Sequence, residues 1–167
     1  MWRGRGNRRR SKRSCFMNLF CLNGYNGEKI SLELNEVIGF PNYTSIEVGY
    51  DITCTLIVDS SWYHIKHDRL FSATGALYSF SKELNTCYTE LWGSAEYHLL
   101  YENDLTFKVE MTSVGHTIVT GCFQERPDKQ NILHFEFDTD QSCLLSVIQD
   151  IESLKVKYGG MEELHKN

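Results

Sequence analysis

The sequence predicts an α+β domain in which two helices pack on one face of a curved antiparallel sheet. Large apolar residues recur at helical spacing in two stretches, residues 72–93 and 141–158. Seven other stretches alternate apolar and polar residues, with the period of two that is typical of half-buried strands. Short polar turns join most of these strands, so the order βββ-α-ββββ-α favours antiparallel pairing and an α+β fold.

Three strands are predicted before the first helix. Residues 28–38 alternate with apolar side chains on one face, and residues 47–58 do the same. The loop between them, residues 39–45, contains glycine and proline. A short Asp-Ser-Ser turn then leads to a third strand at residues 62–68.

The first helix is predicted over residues 72–93. Its apolar stripe consists of Leu77, Phe80, Leu84, Tyr88 and Leu91. Burying five such side chains contributes roughly 10 kcal/mol before conformational entropy is counted. Ser72 or Thr74 can cap the start, and Gly93 fits the left-handed position after the end.

Four strands and a second helix complete the predicted fold. The strands span residues 95–101, 105–111, 116–124 and 132–138. The helix spans residues 141–158, with the apolar stripe Leu144, Ile148, Ile151 and Leu154 or Lys155. Thr139 or Asp140 can cap its start, and a Gly-Gly pair at 159–160 can end it.

Charge divides the chain into two unlike parts. Residues 1–16 carry seven basic side chains and no acid, whereas residues 17–167 carry 10 basic and 22 acidic side chains, a net charge of −12. We therefore expect residues 1–27 to be a basic head outside the fold, residues 28–159 to be one domain, and residues 160–167 to be a tail.

Three interpretations of the head stay open. It can be an arm that binds nucleic acid, because clustered arginines attract phosphate. It can be a secretory signal, although its apolar part is short and no small-residue cleavage site follows. It can also be translated leader with the natural start at Met17, because Lys12-Arg13-Ser14 can be encoded by a purine-rich bacterial ribosome-binding sequence.

The sequence favours a protein without catalytic or metal chemistry. His64 and His67, with Cys54, are the nearest approach to a metal set, but residues three apart on a strand point to opposite faces. We find no nucleophile elbow, P-loop or dinucleotide fingerprint, and predict no cofactor. His116 follows a hairpin glycine and is expected to be a turn histidine. The six cysteines form no C-x-x-C pair, which favours free thiols in the cytoplasm.

An aromatic and acidic loop is the strongest candidate for a binding site. It combines Tyr43, Glu47, Tyr50 and Asp51 near Pro41. Its rings can fold back onto the sheet, or they can form a protein-binding edge. Further carboxylates expected to support binding are Glu102, Asp104, Glu110 and Glu125. The acidic charge disfavours nucleic-acid binding by the body and suits a basic protein partner, and no stretch is apolar enough to predict a membrane span.

The chain also resembles a known group of small bacterial proteins. The residues that carry the resemblance are the segments 36–41, 49–51, 75–80, 93–95, 115–121 and 135–142, within residues 28–158. These proteins are of unknown function and are similar to the WapI-like immunity proteins that accompany wall-associated, contact-dependent toxins. The resemblance implies a cytoplasmic, non-enzymatic protein that binds and neutralises a cognate toxin, often a nuclease, and it lends no site residues. The alternatives are a structural or adaptor module with another partner, and an enzyme with an unrecognised site.

Overall fold

A computed structural model describes residues 17–100 and 102–159 of the chain. The described residues form eight strands and two helices in the order ββββ-α-ββββ-α. The strands are β1 (Met17–Asn23), β2 (Lys29–Ile38), β3 (Asp51–Asp59), β4 (His64–Ala73), β5 (Gly93–Tyr97), β6 (Leu105–Met111), β7 (His116–Gln124) and β8 (Ile132–Asp140). The helices are α1 (Thr74–Glu90) and α2 (Gln141–Tyr158).

The strands form two sheets of four, and not the single sheet that the sequence predicts. One sheet has the order β1-β2-β3-β4 and the other β5-β6-β7-β8, and every neighbouring pair is antiparallel. Helix α1 separates the sheets in the chain and packs beside β5, where the Glu96 amide donates to the Glu83 carboxylate at 2.9 Å. The α+β class and the order of the predicted elements are confirmed. The division of the strands into two sheets was not predicted, because alternation shows which residues share a face of a strand but not which strands pair.

Strand β1 was not predicted and lies inside the expected head. It pairs with β2 and fully buries Leu19, Phe20 and Leu22. The register shifts between Asn18 and Phe20, so Leu19 is an extra residue that breaks the alternation a sequence reading depends on. The first sheet therefore begins at Met17, within the range predicted as the head, while residues 1–16 lie outside the described residues. The predicted tail, 160–167, also lies outside them.

Bulges bend the first sheet near its middle. Register shifts occur in all three of its strand pairs, including the β2 shift at Asn35. The Asn35 amide fills the gap: it donates to the Asp68 carbonyl oxygen at 2.8 Å and accepts from the Thr55 hydroxyl at 3.0 Å. The first bond gives a partner to a backbone oxygen where the β3–β4 register shifts, and the second fixes the Asn35 side chain in place.

One core joins both sheets and the helices. The ring of Phe107 from the second sheet lies 5.6 Å from Phe20 of the first sheet, 5.1 Å from Phe80 of α1 and 5.0 Å from Tyr97. Helix α2 packs mainly on α1 and β1. The two helices therefore close the core beside the edge strands β5 and β1, and do not share one face of a single sheet.

The start of α1 differs from the predicted caps. Ala73 is the N-cap residue, and no side chain caps the helix. The Ser72 hydroxyl instead pairs with the buried Tyr97 hydroxyl at 2.6 Å, and the Thr74 hydroxyl accepts from the Tyr50 amide at 2.9 Å. Both predicted caps are wrong because tertiary contacts use these side chains.

The end of α1 also differs from the prediction. Leu91, with φ of 61°, takes the left-handed position assigned to Gly93, and its amide donates to the Cys87 carbonyl oxygen at 2.9 Å. Leu91 is exposed and therefore does not belong to the buried stripe.

Helix α2 begins and ends where the sequence predicts. The Asp140 side chain accepts from the Ser142 amide at 2.7 Å, and Gly159 follows the last turn. Val147 is fully buried and Ile148 half-buried, so the stripe is rotated slightly from the predicted one.

Candidate binding loop

The connection between β2 and β3, residues 39–50, exposes large apolar side chains. Tyr43 is 77% exposed and Ile46 is 84% exposed, and Phe40 and Val48 are exposed as well. Leu100 is also exposed, and its amide donates to the Glu47 carboxylate of this connection at 3.0 Å. Contiguous exposed apolar surface on a folded domain commonly marks an interaction site. We call residues 39–50 the 39–50 loop.

Hydrogen bonds within the 39–50 loop hold its shape. The amide of Tyr43 donates to the Gly39 carbonyl oxygen, and the amide of Ser45 donates to that of Gly49, each at 2.7 Å. The Ser45 hydroxyl accepts from the Glu47 amide at 3.0 Å and donates to the Asp51 carboxylate. The loop therefore has a defined conformation despite its exposure.

The first turn of α1 seats the 39–50 loop. The Gly75 amide donates to the Val48 carbonyl oxygen at 3.1 Å, and the Thr74 amide donates to that of Tyr50 at 2.9 Å. A Cβ atom on Gly75 would lie 2.4 Å from the Val48 oxygen, and one on Gly49 would lie 2.1 Å from the Thr74 hydroxyl. Glycine at both positions allows this seating, because the loop and helix backbones touch and a side chain at either position would displace the loop.

Val48 holds an unfavourable backbone conformation at the centre of the 39–50 loop. Its φ is 72°, in the left-handed region that a β-branched residue rarely enters. Such a residue costs on the order of 1–3 kcal/mol and persists only when its surroundings enforce it. Here the α1 seat, meaning the hydrogen bonds from the Thr74 and Gly75 amides to the loop, holds Val48 in this conformation. Strain of this kind clusters at functional sites.

Aromatic packing ties the loop to the end of α2. Phe40 makes edge contacts with Tyr50, at 5.2 Å between ring centroids, and with Tyr158, at 5.1 Å. The Tyr78 hydroxyl of α1 donates to the Gly159 carbonyl oxygen at 2.8 Å. Burial raises the pKa of Tyr78 to about 12, so that donor stays protonated well into the alkaline range. Phe40 and Tyr50 thus fold back on the domain, while Tyr43 points outward.

The predicted acidic residues fall into three groups. Glu47 and Asp51 lie at the loop, and a Glu47 carboxylate oxygen accepts from the Leu100 amide at 3.0 Å, which pins the segment before Glu102 to the loop. Asp104 and Glu125 lie near each other, because the Gln124 amide donates to the Asp104 backbone carbonyl oxygen at 2.8 Å.

Glu110 lies apart from the other predicted residues, at the far end of β6. It forms an ion pair with Lys108 at 2.7 Å. Tyr43, Glu47 and Tyr50 lie in the 39–50 loop and Asp51 follows it, with Tyr43 pointing outward and Tyr50 packed on Phe40. The contribution of all eight predicted residues to binding stays a prediction.

Sequence reasoning missed the most exposed apolar residues of this surface. Ile46 and Leu100 are isolated apolar residues in polar loops, where no periodicity identifies them. Val48 was assigned to the buried face of a strand, but β3 begins only at Asp51. The one weak signal for an exposed loop was Gly49, which closely follows Ile46 and Val48, in a stretch whose alternation predicts a strand.

Other surfaces offer less organised chemistry. Across residues 17–100 and 102–159, no three His, Cys, Asp or Glu side chains are placed to hold a metal ion. Cys54 is buried in the core, His64 pairs with Asp59, and His116 lies 3.1 Å from Asp138 on the surface. None of the helices described is both long enough and apolar enough to span a membrane.

Comparison with known proteins identifies the family. No curated protein and no solved structure matches the chain. The model of the Immunity protein WapI-like family matches residues 21–159. The match runs from within β1 to the residue after α2, so it contains the 39–50 loop and the elements that seat it. The chain therefore belongs to the WapI-like immunity protein family.

Proposed function

We propose that this protein neutralises a cognate toxin by binding it directly, and that the 39–50 loop with Leu100 is the contact surface. The observation that carries the proposal is the exposure of Tyr43 and Ile46 on a loop that α1 and α2 hold in a strained conformation. Membership in the family supports the immunity role. We infer that binding alone, without catalysis, is the activity.

A held loop favours tight binding because its conformational entropy is already lost before the partner arrives. Large apolar side chains at the centre of a contact typically carry most of the binding energy. Tyr43 and Ile46 are therefore the expected anchors. Phe40, which packs on Tyr158, supports them from below.

Charge suggests the nature of the toxin. The net charge of −12 over residues 17–167 attracts a basic surface at long range and raises the association rate at low salt. Asp51 and Glu102 can contribute directly, whereas Glu47 also holds Leu100 in place. A nuclease, which needs a basic surface to hold phosphates, fits this description. The free thiols at Cys21, Cys54, Cys87, Cys122 and Cys143 suit the reducing cytoplasm, where we place the activity.

The test begins with the neighbouring gene, where the proposal expects a toxin reading frame whose toxin domain can be expressed and purified. Co-expression of this protein should rescue the growth of cells that produce the toxin domain, and calorimetry should give the dissociation constant of the complex. Tyr43→Ala and Ile46→Ala should each cost about 2 kcal/mol, or about 30-fold in affinity. The matched control is Trp62→Ala, a 95% exposed ring in the β3–β4 turn at the opposite end of β3 from the loop.

The control variant should bind as the wild type does. If both loop variants keep full affinity while Trp62→Ala loses it, the contact surface is the opposite end of the sheet. If that toxin domain does not bind at all, the adaptor alternative is favoured instead.

A further inference from the structure

Strand β1 and helix α2 lie side by side and run in opposite directions. At one end, the Thr139 hydroxyl just before α2 donates to the Asn23 carbonyl oxygen at 2.6 Å. At the other end, the side chains of Asn18 and Asp150 meet at 3.4 Å. Between these two anchors, residues of β1 therefore run alongside residues of α2.

A cysteine lies between the anchors on each element. Cys21 lies between Asn18 and Asn23 on β1, and Cys143 lies between Thr139 and Asp150 on the α2 side. Both thiols are free and partly exposed. Both cysteines therefore lie in the stretch where β1 and α2 run alongside each other.

The β1 bulge turns Cys21 toward α2. Residues three apart on a regular strand point to opposite faces. Here Asn18 pairs with Glu33 and Cys21 pairs with Ser31, two residues apart on β2, so Asn18 and Cys21 share a face. Asn18 contacts α2 from that face, and Cys21 therefore points to the same side of β1 as α2.

Helix periodicity gives the same result for Cys143. Asp150 and Cys143 are seven residues apart, about two turns, so both point to the same side of α2 and are about 10 Å apart along its axis. On β1, the positions of Asn18 and Cys21 are about 7 Å apart along the strand. The difference between these two spacings is small compared with the reach of two side chains.

Electrostatics agrees with this placement. Burial is the main cause that raises the pKa of the Cys21 thiol, and both Asp150 and Cys143 raise it further. The charges of Asp150 and Cys143, both on α2, thus act on the Cys21 thiol. Lys29 acts in the other direction and favours the thiolate.

We propose that Cys21 and Cys143 are a paired modification site that forms an intramolecular disulfide when the protein meets a small-molecule disulfide such as oxidised glutathione. The thiolate of one of the two cysteines attacks one sulfur of oxidised glutathione and releases one glutathione thiolate. The thiolate of the other cysteine then attacks the protein sulfur of the mixed disulfide and releases the second glutathione thiolate. The two protein thiols are oxidised, and one oxidised glutathione is reduced to two thiols.

The Cys21–Cys143 disulfide would join β1 to α2, and the chain between the two cysteines contains most of the domain. Cross-linking distant points restricts the unfolded chain and raises stability. It also fixes α2, whose Tyr158 supports Phe40 of the 39–50 loop. The proposal does not depend on the identity of the toxin.

The experiment uses the full chain with Cys15→Ser, because Cys15 lies outside the described residues. The protein is incubated with excess oxidised glutathione at pH 8, free thiols are blocked with N-ethylmaleimide, and linked peptides are mapped by mass spectrometry. We expect an intact mass lower by two hydrogens, a Cys21–Cys143 peptide, and a melting temperature that rises and is restored by dithiothreitol.

Matched variants separate this pair from general thiol oxidation. Cys21→Ser and Cys143→Ser should each prevent the link and leave a glutathione adduct on the remaining cysteine. Cys122→Ser, which removes a partly exposed thiol on β7, should leave the link intact. Stable glutathione adducts on both Cys21 and Cys143 without a linked peptide, or a link through Cys122, would overturn the proposal.

Discussion

Gly75→Ala tests whether the start of α1 positions the 39–50 loop. The added Cβ would lie 2.4 Å from the Val48 oxygen and 3.1 Å from the Glu47 oxygen, whereas ordinary contacts begin at 3.4 Å. Both oxygens belong to backbone, so the loop must retreat by about 1 Å, and the bond from Gly75 to Val48 then exceeds hydrogen-bond length.

The effects on stability and on binding should differ. Losing that hydrogen bond costs about 1 kcal/mol. Alanine is favoured over glycine in a helix by up to about 1 kcal/mol, which offsets the loss. The free energy of unfolding should therefore change by less than about 1 kcal/mol. The displaced loop no longer presents Tyr43 and Ile46 in the bound geometry, and affinity for the toxin should fall about 10- to 100-fold.

Urea unfolding and calorimetry with the toxin domain measure the two quantities. Ser79→Ala is the matched control, because Ser79 is an exposed position in the middle of the same helix. It should leave affinity unchanged. If Gly75→Ala binds as tightly as the wild type, the α1 seat does not position the contact surface and the reasoning is refuted.

Three further outcomes follow from particular contacts. Val48→Asn should leave stability unchanged or raise it by up to about 1 kcal/mol in thermal unfolding, because asparagine tolerates positive φ, yet weaken toxin binding by removing an exposed apolar side chain; a destabilised variant would contradict the strain argument. Asn35→Ala removes two bridging bonds and should cost about 1–2 kcal/mol in urea unfolding, whereas Asn131→Ala, which removes a long surface bond, should cost less than 0.5 kcal/mol, roughly the limit for surface changes. Because burial raises the pKa of Tyr78 to about 12, the unfolded chain loses this proton first, and stability should fall as pH rises from 10 to 12. Tyr78→Phe should flatten that part of the pH profile, and an unchanged slope would show that Tyr78 does not cause it.

The elements that were predicted best are those whose signals are local. The bounds of α2 follow from the Asp140 cap, the apolar stripe and Gly159, all of which can be read within a few residues. Strand β6 alternates without interruption and was predicted with its observed bounds. Strand β1 could not be found in the same way, because the extra residue Leu19 interrupts its period and a run of basic residues precedes it.

The interaction surface depends on contacts that a sequence does not display. Tyr43 and Tyr50 were singled out by residue type, but only the structure shows that one points outward and the other packs on Phe40. The proximity of Gly75 to Val48 joins residues 27 positions apart, and no periodicity predicts it. Leu100 reaches the surface through a bond to Glu47 across an even longer separation.

Hydrogen exchange of the full chain, with and without the cognate toxin domain, tests the central claim most directly. If the 39–50 loop and Leu100 form the contact surface, toxin should slow amide exchange at exposed loop positions such as Thr44 and Ile46 and near Leu100, while the Trp62 turn exchanges at its free rate. Protection of the Trp62 turn or of the outer face of β5–β8, with unchanged exchange across residues 39–50, would contradict the account.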